Sequence, residues 1–183
     1  MTTRDGVVYV AYRSFDWLRR SDQLQVLAYD LNSRKVLGHG VIPVPKMHGA
    51  RATNGLALSQ DGTALAYIEV YEPTLVLIVS TKDLSEVRRS SALPFTNQDY
   101  RRVFCGFDGD DHLSFASINR DKPRFVRMSM ADFKVVSDTR ASALTKTIFP
   151  YFTWDPVAGR FWLPEGAEIS VSLPRKVNLR VWN

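Results

Sequence analysis

The chain has 183 residues, 45% of them hydrophobic and 23% charged, a composition that excludes an intrinsically disordered protein and is long enough for one domain with a core. Its net charge of +5 and pI near 9.5 suit an acidic partner, and no apolar run approaches the ~20 residues of a membrane helix. The one cysteine, Cys105, excludes an intrachain disulfide and sits in an apolar stretch, where it reads as a small buried hydrophobe.

Taken in order, residues 7–12 alternate as a strand, and the stretch RSFDWLRRSD at 13–22 reads as a longer connection. It is expected either to act as a lid or binding loop or, the preferred reading, to plug its own sheet. Residues 23–30 and 36–41 form two more strands, with turns at Asp5-Gly6 and Asp30-Leu31. The run VIPVPKMHGARAT at 41–53 cannot be an interior strand because of Pro43 and Pro45, so it crosses to a new unit.

That unit begins the plainest part of the chain, where 55–59, 65–70, 74–80 and 86–90 are four short strands. Asp61-Gly62 and Asp83-Leu84 mark its turns. After a crossing at 92–100 the same grammar returns with strands at 102–107, 112–118, 123–130 and 134–137, turning at Asp108-Gly109 and Asp132-Phe133. After 140–147 it returns again at 149–154, 160–163, 168–173 and 177–182, with a turn from Asp155-Pro156 to Gly159. The turn aspartates Asp61, Asp108 and Asp155 are equally spaced. Four strands per unit at this period are what a propeller blade needs.

The stretches SQDGTALAY at 59–67 and LIVSTKDLSEV at 77–87 carry a resemblance to WD40-like and YVTN-type β-propellers that spans nearly the whole chain. The expected fold is an all-β propeller of about four blades, at 5–45, 52–93, 100–141 and 147–183. The first copy is expected to lack its innermost strand, since five residues precede Gly6. Three completions follow: a fragment of a propeller with roughly six to eight blades, a four-bladed ring with one reduced blade, or two chains joined in one ring. Open sheet edges favour the fragment and, second, the homodimer.

Propeller topology sorts the charges. Turns between first and second strands and between third and fourth hold most aspartates; the opposite end, with second-to-third connections and blade crossings, holds an excess of arginine and lysine. In propellers of this kind, ligands commonly enter at that crossing end. Arg51, Arg101 and Arg102, just before innermost strands, with Arg20 and Lys146, are the expected ligand-binding residues for an acidic protein, a peptide or a small anion. The competing reading is that turn aspartates serve backbone turn chemistry and loop arginines serve solubility.

Signatures of catalysis are thin. His39, His48 and His112 fall on different parts of the predicted blades, so no metal and no cofactor are expected. There is no phosphate loop, GxSxG or HExxH; Glu69 with Glu72, or Glu165 with Glu168, would be the acid/base pairs. The strand aromatics read as packing between blades, and no RNA-reading motif accompanies them, so nucleic acid is not an expected partner, nor is a membrane. A non-enzymatic binding scaffold is therefore preferred. The alternative is a propeller enzyme of the lactonase or quinoprotein type with an axial site. Residues 1–6 show no export signal, which points to the cytoplasm unless an upstream segment directs the protein to the periplasm or outside.

Overall fold

The protein is described from a computed structural model that covers residues 1–46, 53–70, 74–90, 102–109, 111–119, 122–140, 153–155 and 160–162. The first sheet runs β1 (Thr2–Arg4), β2 (Val7–Asp16), β3 (Ser21–Asp30) and β4 (Lys35–Pro43), each strand antiparallel to its neighbour in chain order. The second repeats this with β5 (Thr53–Leu58), β6 (Ala64–Val70), β7 (Leu75–Ser80) and β8 (Glu86–Arg89). The third has β9 (Arg102–Asp108), β10 (His112–Asn119), β11 (Lys122–Ser129) and β12 (Val135–Arg140). A hairpin of β13 (Thr153–Asp155) and β14 (Arg160–Trp162), turning after Asp155, begins a further sheet. The first strands gather at a hub, with β1 against β5, β5 against β9 and β9 against β13.

This is a β-propeller, seen here as three four-stranded blades and part of another. The blades are stacked through their faces. Leu24, Val26, Ala28 and Ile42 of the first blade pack on Leu65, Tyr67, Leu75, Leu77 and Val79 of the second. The opposite face of the second, Ala66, Ile68, Val76 and Ile78, meets Val103, Cys105, Phe107, Leu113, Phe115, Val126 and Met128 of the third. Both faces of β6 and β7 are therefore buried, which is why 65–68 and 75–79 read as continuous apolar runs and do not alternate. Cys105 is part of this layer, and burial pushes its thiol pKa up to about 12, as an inert core residue requires.

Two expectations are corrected. The first blade does have an innermost strand: Thr2, Thr3 and Arg4 pair with Tyr9, Val8 and Val7. Asp5 (φ 51°) and Gly6 (φ 79°) both adopt left-handed backbone and reverse the chain in two residues, so the few residues before them suffice. The stretch 13–22 is no long connection and no plug. Pairing of β2 with β3 continues through Arg13↔Leu24 to Asp16↔Ser21 and leaves only residues 17–20 as a turn. Polar residues there looked like loop, but they follow the strand alternation, and Arg13 points between blades where a partner awaits it. Likewise β4 reaches Pro43, tolerated because β4 is the outer edge strand.

A recurring device shapes each outer turn. Arg34, Leu84 and Phe133 occupy matching left-handed positions (φ 57°, 55° and 56°), and the register of strand three against strand four shifts at Ala28/Tyr29, Ile78/Val79 and Arg127/Met128. The matching turn of the first blade was placed at Asp30-Leu31, but its left-handed residue is Arg34. Asp30 holds the place of Ser80 and Ser129, where a short side chain accepts the amide two residues on: from Asn32, Lys82 and Ala131 respectively.

Candidate functional site

Antiparallel order puts the ends of β2, β4, β6 and β8 and the starts of β3, β5, β7 and β9 at one end of the blades, the crossing end. At the other end the aspartates do turn chemistry. Asp61 accepts from the Thr63 amide (3.0 Å), the Ser59 hydroxyl (2.7 Å) and the Thr63 hydroxyl (2.7 Å). Asp83 holds Ser85 and Asp132 holds the Lys134 amide in the same way. Arg127 adds an ion pair to Asp108 at 2.5 Å. Asp61, Asp83, Asp108 and Asp132 are consequently spent within their own blades.

Those bonds, from Ser59 first and then Thr63, pull the Asp61 carboxyl down to about 2 from 3.8. A depressed carboxyl stabilises the fold above its unfolded value and stops doing so as pH falls through its folded value. Acid melts should therefore show stability falling between about pH 4 and pH 2. Asp61→Asn should flatten part of that slope, and an unchanged slope would show that the turn does not hold a carboxylate. Solvent exposure keeps the effect small.

The crossing end is different. Arg13, on β2, reaches across to the second blade with Nε 3.0 Å from Glu69 Oε1 and Nη2 2.8 Å from Glu69 Oε2. Its Nη1 donates to Asp22 Oδ2 at 2.7 Å and to the Pro45 carbonyl at 2.9 Å. Glu69 is only 2% exposed and Arg13 16%. Burial opposes the arginine charge, yet the hydrogen bond and field of Glu69, with the field of Asp22, prevail and raise its pKa. Glu69, the candidate acid/base partner of Glu72 and otherwise expected to be solvated, is buried in β6 and clamped, so it ties blades together.

Above this clamp stands the β2–β3 tip. Trp17 is 83% and Leu18 97% exposed. Phe15 meets the Trp17 ring edge-on at 4.8 Å and 82°, bracing it. Asp16 Oδ1 accepts the amides of Leu18 (2.9 Å) and Arg19 (3.0 Å), and Oδ2 accepts from Gln23 (3.2 Å). Arg20 has left-handed backbone (φ 50°), and both it and Lys46, on the first crossing, are exposed.

Of the predicted ligand-binding residues, Arg20 is placed on this tip. Arg102 opens β9 at the crossing end, with its side chain outside the described residues; Arg51, Arg101 and Lys146 also lie outside them, as do Glu72 and His48. His39, on β4, bonds Gln25 at 2.5 Å on the first blade's outward face, while His112 starts β10 at the turn end. Arg13 was read as a connection charge and Trp17-Leu18 as part of a lid, binding loop or plug, and the extended hairpin that carries them went unread. Continued alternation of Tyr9, Ala11 and Arg13 was the available signal.

No protein family matches the sequence, and no curated protein does. Solved structures do resemble it. One is the β-propeller domain of the Trilobed protease from Pyrococcus furiosus, described as having an open velcro topology, at 13% identity and TM-score 0.44, over 83% of this chain and 43% of that one. Another is Pyrococcus horikoshii acylaminoacyl peptidase, at 12% and 0.49, over 83% and 25%. A third is the β-propeller domain of Myceliophteria thermophila Cps50 (Swd1), at 13% and 0.36, over 81% and 49%. The chain thus spans half or less of the structures it is similar to, and the likeness concerns fold alone.

Proposed function

We propose that the chain is a non-enzymatic binding scaffold whose basic crossing end holds an acidic protein, peptide or small anion. One observation supports this above others. The described acids of that end are consumed internally, Glu69 and Asp22 by Arg13 and Asp16 by the tip's own amides, while Arg20 and Lys46 stand exposed. A surface so arranged presents positive charge outward and attracts anions. The loss of Glu69 as a usable acid or base weighs against an enzyme of the lactonase or quinoprotein type.

The test is titration of fluorescently labelled poly-glutamate with the wild-type protein and with Arg51, Arg101 and Arg102 changed together to glutamate. Anisotropy should show salt-sensitive binding that weakens at least about tenfold in the variant. The melting temperature is expected to change little, which separates a loss of binding from a loss of folding. Equal binding by both proteins would overturn the reading.

A further inference from the structure

We propose that the β2–β3 tip is a membrane-surface anchor, seating Trp17 and Leu18 among the headgroups of an anionic lipid bilayer with Arg19 and Arg20 against the lipid phosphates. The shape comes first. The tip ends two fully paired ten-residue strands, and residues 17–20 are all exposed. Such a convex point can dip into a soft interface.

Its chemistry fits that medium. Two adjacent apolar side chains this exposed are costly in water, and tryptophan favours the headgroup layer, where its ring is apolar and its indole N–H finds acceptors. Backbone amides entering an apolar layer need partners. Those of Leu18 and Arg19 already bond Asp16, which draws the carboxylate charge inward as well. The bracing by Phe15 holds the indole in place before contact, lowering the entropy lost on insertion.

Charge selects the kind of bilayer. Arg19 and Arg20 follow the apolar pair, with Arg19 80% exposed and only 3.8 Å-paired to Asp16, in a chain of net charge +5. An anionic leaflet attracts such residues within a Debye length. The expectation of no membrane partner came from the want of a spanning helix, and among the described residues no helix could span; a surface anchor needs none. This inference stands apart from the acidic-partner reading, since it depends on the apolar pair.

Co-sedimentation with phosphatidylcholine vesicles, with and without phosphatidylserine, tests it. Wild-type protein should pellet with phosphatidylserine vesicles at low salt and be released by salt. The double change Trp17→Ala and Leu18→Ala should weaken partitioning at least about tenfold with an unchanged melting temperature, both side chains being exposed. In the same assay the triple glutamate variant at Arg51, Arg101 and Arg102 should retain most binding, which separates this anchor from the anion-binding end. A blue-shifted Trp17 emission, read as the difference from Trp17→Phe, should accompany binding. Wild-type protein that stays in the supernatant, or an alanine variant that pellets equally, overturns the anchor and leaves the tip to a protein partner.

Discussion

Replacing Arg13 by leucine is expected to lower the unfolding free energy by about 3–5 kcal/mol, the range for breaking a buried ion pair from one side. The guanidinium supplies three bonds to Glu69 and one each to Asp22 and the Pro45 carbonyl, so its removal strands Glu69 at 2% exposure. The penalty is mostly the cost of that stranded carboxylate. Arg13→Lys should fail to rescue much of it, because an ammonium cannot form the two parallel bonds. Changing Glu69 to leucine in the Arg13→Leu background should recover much of the loss, as a dry apolar contact replaces the pair. Urea unfolding of the three variants reads this directly. A loss below about 1 kcal/mol for Arg13→Leu, the range of a surface pair, would mean that the clamp is solvated.

The clamp also explains where reading the sequence succeeded and where it stopped. Repeats were legible because the layers between blades demand apolar residues at fixed places, as in 65–68 and 75–79, and because turns demand Asp-Gly or a short polar residue at equal intervals. Arg13 was hidden because its partner lies 56 residues away on another blade; a charge satisfied over that distance looks, locally, like a loop charge. The three-residue strand β1 was hidden for the opposite reason, its logic being entirely in the tight turn beside it. Trp17 and Leu18 were assigned to a plug because apolar residues among charges usually find cover. The strand register decided otherwise, since each extra pair between β2 and β3 carried the tip further from the layers that would have covered it.

Among the described residues, one face of the first blade has no second apolar layer packed on it. The position that buried Leu75 fills in the second blade holds Gln25 in the first, which donates to Ser14 (2.9 Å) and to Gln23 (3.2 Å) and bonds His39. Tyr12 and Val41 flank them, partly exposed. A self-satisfied polar stripe lowers the cost of leaving such a face in water. It also departs from the dry layers inside the stack, where a glutamine would need partners on both sides.

Within those layers the tightest fit is at Gly40, and Gly40→Ala is expected to cost about 1–3 kcal/mol or somewhat more. A methyl built there would stand 2.2 Å from the Leu84 carbonyl oxygen and 2.8 Å from its Cβ. Both belong to a turn that cannot retreat: Leu84 is buried, holds left-handed backbone, and donates its amide to the Ser80 carbonyl at 3.0 Å. The added carbon must therefore push β4 off the second blade, opening the layer formed by Ile42, Leu77 and Val79. Gly38→Ala, two residues away, is the internal control. Its methyl would meet Leu84 Cδ1 at 3.1 Å and Cγ at 3.7 Å, atoms of a side chain and not of the backbone. Thermal and urea unfolding should rank Gly40→Ala well below Gly38→Ala. If the two variants prove equally stable, the first two blades are not in contact through this turn, and the stacking that defines the propeller would fail at its first layer.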